Sequence, residues 1–332
     1  MSWKSIIQDP ERQKALRVRS KALQAIRLFF DKKNFLEVET PIRVSCPAME
    51  AHLKAFELKD GTYLQTSPEF AMKKLLAGGF TKIYQLARSF RDEPFSPHHL
   101  NEFTMLEWYH VGIDYFELMN ETVELIQTVT EIIHGQSVFS YLDQTIDVSS
   151  VSRFRVEECF KSIGIDLVKC QDSDSLRAHA QRLDVIPPSS NDWDDLYFAL
   201  WLNCIEPNLP KDRIVIIYDY PASQSALAKT SFDKNGVEWS RRFEVYLGGI
   251  ELGNAFDELT DPSIQRQRFE KENLVRAKHH PDWPQNPVDE DLISALNEGI
   301  AECAGIAIGF DRLVQLLSGV GEISKTVYLP TR

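Results

Sequence analysis

The stretch RRFEVYLGGIELGNAF (241–256) reads as two strands joined through Gly248-Gly249. A connection that short returns the chain antiparallel to itself, so these residues belong to an antiparallel sheet. KIYQLARSF (82–90) and NEFTMLEWYHV (101–111) repeat the pattern around a proline-broken loop at 92–101. FLEVETP (35–41) alternates in strand fashion and ends in proline, and IVIIYDYP (214–221) is an apolar run of the buried-strand kind. AGIAIGFDRLVQLLSG (304–319) is a glycine-punctuated strand that turns into a helix.

Long helical patterns separate these strands. Asp9-Pro10-Glu11 supplies an N-cap, a first helical position and an acid near the positive helix end. Leu16, Leu23, Ile26 and Phe30 then share one face, so that helix is expected to run to about Lys33. PEFAMKKLLAGG (68–79) and Tyr115 to His134 read as helices, and Asp261-Pro262 opens another. Residues 140–210 are expected to be mostly helical, with a loop at PPSSNDW (187–193). The expected class is therefore α+β, an antiparallel sheet flanked by helices, in a single domain over 1–332. No GxGxxG or GxxxxGK[ST] stands at a strand-to-helix turn, so a nucleotide would not be held by either device.

Composition narrows the function classes. With 43% hydrophobic and 26% charged residues the chain has the makings of an ordinary buried core. No apolar stretch approaches the ~18–20 residues of a membrane span, and the N-terminus lacks a signal-peptide core. Cys46, Cys159, Cys170, Cys204 and Cys303 are scattered and form no CxxC, which fits free thiols in a reducing cytosol. A net charge of −12 argues against a dedicated nucleic-acid binder.

Three segments bear chemistry. In ARSFRDEPFSPHHLNEFTMLEWY (87–109) a strand ends at Arg91-Asp92-Glu93, and the return strand carries Glu102 and Glu107. An arginine so placed can fork onto phosphate or carboxylate; alone, the segment also reads as a solvated hairpin. In the 305–312 run, glycines in a strand mark close backbone approach, or a tight strand-helix corner. Glu244 and Glu251 lie across the 241–256 hairpin. Two such carboxylates can hold Mg²⁺ against nucleotide phosphates, or simply face solvent.

Taken in order, these segments resemble the class II aminoacyl-tRNA synthetases. FLEVETP resembles motif 1 (near 35–41), SFRDE…HHLNEFTMLEWY motif 2 (near 87–109) and GIAIGFDR motif 3 (near 305–316). TSPEFAMKKLL (66–76) and GGIELGNAFDEL (248–259) are similar to the lysine branch. The resemblance implies ATP-dependent adenylation of an amino acid with Mg²⁺, with Arg91 and Arg312 as the catalytic charges. It places Arg91 on the α-phosphate and Asp92, Glu93, His99, Leu252 and Gly309 among the ATP contacts. Phe103 would lie under adenine and Arg312 above it, a sandwich of ring and guanidinium. Glu244 and Glu251 would hold the metal. Ser67, Pro68, Glu69, Asn254 and Ala307 would bind the amino acid, Glu69 taking its α-amine. Glu107, Tyr109 and Glu258 would take the distal amine. A buried ammonium requires carboxylates because its desolvation is otherwise too costly, so the implied substrate is a diamino acid.

Within that family, 34 residues precede Phe35, where a bacterial lysyl-tRNA synthetase carries its anticodon-binding fold. The resemblance thus implies no anticodon-binding domain and makes tRNA an unlikely partner. Ala307 replaces the glycine usual in motif 3. The truncated paralogues that modify elongation factor P carry alanine there, together with a preference for (R)-β-lysine, although one methyl is worth only ~1–3 kcal/mol. YDYPASQSALA (218–228) and the QRQRFEKEN helix also look closest to those paralogues. The implied activity is AMP-forming transfer of (R)-β-lysine or lysine onto a lysine side chain of elongation factor P, the alternatives being a catalytic core that charges tRNA or a non-catalytic amino-acid-sensing paralogue. The resemblance also implies a cytoplasmic homodimer that meets through motif 1.

Overall fold

The computed structural model describes residues 6, 8–94, 99–186, 188 and 192–329. Helix α1 (Pro10–Lys32) starts as its sequence dictates: the Asp9 carboxylate accepts the Arg12 backbone N–H at 3.1 Å and Pro10 occupies the first turn. Short β1 (Leu36–Glu37), β2 (Arg43–Val44) and β3 (Tyr63–Leu64) lead to α2 (Glu69–Ala77), β4 (Lys82–Phe90) and β5 (Glu102–Val111). Helix α3 (Tyr115–His134) opens on a capping box between Asp114 and Glu117 and closes on Gly135 at φ 75°.

The chain then departs from the helical reading of 140–210. A hairpin, β6 (Val138–Tyr141) and β7 (Gln144–Asp147), and a further strand β8 (Val151–Arg155) come first. Helices α4 (Val156–Ser162), α5 (Ser173–Arg182) and α6 (Trp193–Leu200) follow, α6 running on into a π turn at Trp201–Ile205. Trp193, expected in the loop, begins α6; residues 187 and 189–191 of that expected loop lie outside the described residues. The remainder is β9 (Ile214–Pro221), β10 (Thr230–Phe232), β11 (Glu238–Leu247), β12 (Ile250–Asp257), α7 (Pro262–His279), α8 (Glu290–Glu298), β13 (Cys303–Gly309) and α9 (Phe310–Ser318).

Nine strands form the main sheet in the order β1-β4-β5-β13-β12-β11-β9-β8, with β10 on β11. Antiparallel pairs fill its middle, and the outermost pairs, β1 with β4 and β8 with β9, are parallel. Motif 1 forms less strand than its alternation promises: only Leu36 and Glu37 pair with β4 before the chain leaves the sheet edge.

Strand parity explains where the site sits. Leu106, Trp108, Ile306 and Ile308 point to one face and join Phe30, Leu118, Ile126 and Val314 in the core beneath α1, α3 and α9. Their neighbours Glu107, Tyr109, Gly305 and Ala307 therefore face the other way. On that side Tyr109 packs with Phe70, Met72, Phe269 and Leu292 from α2, α7 and α8. Burying either apolar set is worth on the order of 25 cal/mol per Å², so a one-residue slip of register would sacrifice both faces. Among the described residues no helix is long and apolar enough to cross a membrane, and all five cysteines are free.

Candidate active site

On the face opposite α1, α3 and α9 the sheet floors a cavity of about 690 Å³. Ser67, Glu69, Arg91, Glu93, His99, Phe103, Glu107, Glu251, Leu252, Asn254, Ala307, Gly309 and Arg312 all line it. Five other residues expected at the site, Pro68, Asp92, Tyr109, Glu244 and Glu258, stand outside that lining. Asp92 turns away to pair with Lys54 at 2.5 Å, while Glu244 and Glu258 lie buried behind the wall. Residues 95–98 of the motif 2 loop fall outside the described residues.

A β-bulge sets the metal-type corner. Tyr246 pairs with Glu251 but Val245 pairs with Gly253, leaving Leu252 without a partner in the register. The extra residue reverses the alternation, so Glu251 and Asn254 open onto the same cavity although they are three apart. Glu244 accepts from Arg242 at 2.6 Å and from the Tyr246 hydroxyl at 2.6 Å. Arg242 also donates to the Asn254 side chain at 2.9 Å and lies 4.5 Å over the Tyr220 ring. Burial, and then the Glu244 charge, push the Glu251 carboxyl up to about 7. Glu251 at the cavity wall, with the Glu244 carboxylate behind it raising its proton affinity, fits a divalent cation, because an ion beside Glu251 would offset that repulsion.

The arginines flank this corner. Arg312 donates to the Glu251 carbonyl at 2.7 Å and meets the His99 ring nitrogen at 3.0 Å. Arg91 sits 5.2 Å over the Phe103 ring, and its buried Nε has no hydrogen-bond partner. The sandwich expected around Phe103 thus finds one face of the ring already carrying Arg91. Behind them, Asp311 accepts the Thr104 backbone N–H at 2.6 Å and pairs with the buried Arg19 of α1. This ties the motif 2 strand and the motif 3 helix to α1 and fixes Phe103 beside Arg312.

The third corner is anionic. Ser67 accepts the Glu69 backbone N–H at 3.0 Å and donates its hydroxyl to Glu107 Oε1 at 2.6 Å. Glu107 Oε2 is buried without a partner. Burial, and then the Glu69 charge, raise the Glu107 carboxyl well above its usual range. Lys73, which the sequence reading passed over, projects from α2 into this corner and meets Glu69 and Glu258 at 2.6 Å each. Its side chain is 3% exposed. Gly305 is required here: a Cβ on it would stand 2.4 Å from the Tyr109 ring and 2.6 Å from Glu258 Oε1.

Lys73 was legible in one respect, since it follows Glu69 by four residues and shares a helix face with buried Phe70 and Leu76. Arg242 alternates with Glu244 on one strand face. Arg19 gave no sign, because a buried arginine in an amphipathic helix looks like its solvated neighbours in sequence.

The class is defined by an antiparallel sheet with two arginines, a pair of acids and a buried anionic corner on one face. The chain belongs to the class II tRNA synthetases (D, K and N), whose family model matches residues 3–332. Within that family it is 38% identical over 324 residues to the elongation factor P–(R)-β-lysine ligase of Pectobacterium carotovorum subsp. carotovorum (strain PC1), covering 93% of this chain and 92% of the relative. It is 39% identical over 324 residues to the ligase of the same name from Yersinia pestis (strain Pestoides F), covering 94% and 93%. The Yersinia pseudotuberculosis (strain YPIII) protein of that name is 39% identical over the same length.

Proposed function

We propose that this chain activates (R)-β-lysine with ATP and transfers it to a lysine side chain of elongation factor P. The observation that carries the reading is the buried corner of Glu69, Glu107 and Glu258, in which Glu107 Oε2 lacks a partner beside the arginine-flanked cavity. An orphaned buried carboxylate oxygen is costly unless a donor arrives, and an ammonium is the donor that also satisfies the charge. The names of the relatives and the family match over 3–332 support a ligase reading with elongation factor P as acceptor.

Glu69 and Asn254 orient the amino-acid head, and Glu107, with Tyr109 and Glu258 behind it, receives the distal amine. Ala307 walls the pocket between Glu107 and Asn254, its partners in the neighbouring strands. Arg91 and Arg312 hold the triphosphate, with Glu93, His99, Leu252 and Gly309 around the nucleotide and Phe103 beneath the base. Arg91 leaves the ring face as the base enters, and its free Nε turns to the α-phosphate. Glu244 and Glu251 would hold Mg²⁺, which supplies charge neutralisation at the phosphates when bound.

The substrate carboxylate attacks the α-phosphorus, the bond to the β-phosphate oxygen breaks, and pyrophosphate leaves. The acceptor ε-amine then attacks the acyl carbon, loses a proton, and AMP leaves. Positioning and charge stabilisation by Arg91 and Arg312 carry both steps without an enzyme nucleophile. The chain acts as one catalytic unit, in the cytoplasm, as a homodimer joined at motif 1.

ATP–pyrophosphate exchange with (R)-β-lysine, α-lysine or no amino acid tests the reading. Exchange stimulated most by β-lysine, followed by label transfer to elongation factor P, is expected. Preference for α-lysine with transfer to tRNA would replace it with a tRNA-charging core, and no exchange would overturn the enzyme reading.

A further inference from the structure

The acid corner already contains one cation. Lys73 Nζ lies 2.6 Å from Glu69 and 2.6 Å from Glu258, and its side chain is 3% exposed. Close by, Asp257 pairs with Arg241, and Lys229 with Glu302. Tyr109 and Cys303 face the corner from β5 and β13, and Glu50 on the cavity wall bears on Glu69 while facing Arg91. With Glu69, Glu107 and Glu258 ionised and Lys73 charged, the corner carries two net negative charges. That equals the two ammonium groups of a diamino acid, whose own carboxylate lies toward Arg91.

We infer that Lys73 is a positioning and specificity-determining residue of the amino-acid site, bridging Glu69 and Glu258, holding them apart and leaving Glu107 as the bare acceptor. The inference rests on the diamino-acid reading above. Three carboxylates in one buried corner cannot all stay ionised without a counter-ion, and one takes up a proton instead. Burial raises Glu258 and Lys73 pulls it back, leaving it at about 7. Burial opposes the charge on Lys73 itself, but Glu258 and Glu69 outweigh it and the ammonium keeps its proton. Lys73 also links the Glu69 end of the pocket to the Glu258 end. A shift of the substrate amine by one carbon is therefore felt by both acids through one side chain.

The test is the KM for the diamino acid and for ATP, read by ATP–pyrophosphate exchange from about pH 6 to about pH 9 around the Glu258 transition. Lys73→Met keeps the length and removes the charge. It is expected to raise the diamino-acid KM at least about tenfold near neutral pH. The KM for ATP should stay within about threefold, and kcat should change less than the diamino-acid KM. The lost affinity should return as pH rises and the extra carboxylate ionises, while Lys73→Arg keeps the wild-type pH profile. An unchanged KM in Lys73→Met, or one raised equally at every pH, would reduce Lys73 to packing and overturn the inference. If Lys73→Met shows no cooperative melt, the double variant Lys73→Met with Glu258→Gln decides. It restores two net negative charges and removes the titrating Glu258 carboxyl, so a diamino-acid KM that no longer recovers as pH rises from about 6 to about 9 is expected, and a KM that still recovers over that range overturns the charge argument. Absence of diamino-acid exchange by the wild-type protein is a separate result, which overturns the functional reading and this inference with it.

Discussion

The Asp311 carboxylate accepts the Thr104 backbone N–H at 2.6 Å, joining the first turn of the motif 3 helix to the strand that carries Phe103. Its other oxygen pairs with Arg19, which also donates to the Thr104 hydroxyl at 2.7 Å. Asp311 is 2% exposed and Arg19 3%. Removing one partner of a buried pair leaves an uncompensated charge, so Asp311→Asn should cost about 3–5 kcal/mol. Urea unfolding measures it. A loss below about 1 kcal/mol would mean that the triad contributes no more than a surface pair.

Gly305 and Gly309 stand on the same strand but differ in what surrounds them. A Cβ at Gly305 meets the Tyr109 ring and Glu258 at under 3 Å, whereas one at Gly309 meets Arg312 Cδ at 3.4 Å. Gly305→Ala should displace Tyr109 and Glu258 and raise the diamino-acid KM about tenfold or more, sparing the KM for ATP. Gly309→Ala should leave unfolding stability within about 0.5 kcal/mol. It should weaken nucleotide binding if the phosphates approach that backbone. Isothermal titration with ATP and exchange kinetics separate the two. Equal effects of both substitutions on both substrates would contradict the division of the cavity.

Much of this arrangement was legible in the residues. The helix bounds at Pro10 and His134, the hairpin through Gly248-Gly249 and the strand-to-helix corner at Gly309-Phe310 follow from caps, glycines and alternation. The β6–β7 hairpin was hidden because its turn uses Leu142 at φ 50°, a conformation signalled in sequence by glycine or asparagine rather than leucine. The bulge at Leu252 is likewise silent, since a bulge is a property of two strands in register and not of one. Without it, Glu251 and Asn254 would be assigned to opposite faces. Lys73 was missed because a lysine on an amphipathic helix is ordinarily solvated, and its burial depends on Glu258, distant in the chain.

Glu258 makes folding stability depend on pH. Its folded proton affinity is raised to about 7 by burial, with Lys73 opposing, against about 4.3 in an unfolded chain. The folded state therefore holds a proton that the unfolded state has lost. This contribution is fully present below about pH 4.3 and disappears as pH rises through about 7. His52, His134 and His280, lowered chiefly by burial, pull in the opposite direction near neutrality. The difference between wild type and Glu258→Gln isolates the acid: their melting temperatures should diverge progressively from about pH 5 to about pH 7, wild type falling relative to the variant, and level off above that. Parallel curves would show that Glu258 is ionised throughout.

Motif 1 carries the last prediction. Its strand pairs only at Leu36 and Glu37, on the outer edge of the sheet. Leu36 is 48% exposed and Ile42 45%. Leu36 on the open sheet edge and Ile42 just before β2 are large apolar side chains that would gain by being covered, and a second copy of the chain would cover both at once by twofold symmetry. Pro41 lies between them and lines a smaller pocket with Arg43 and Gln65. Pro41→Arg would place a charge against its own symmetry mate, so a shift from dimer toward monomer is expected in sedimentation velocity. The intramolecular Arg27–Glu37 contact at 2.9 Å and the melting temperature of the monomer should be preserved. An unchanged sedimentation coefficient, or a monomeric wild type, would remove motif 1 from the interface.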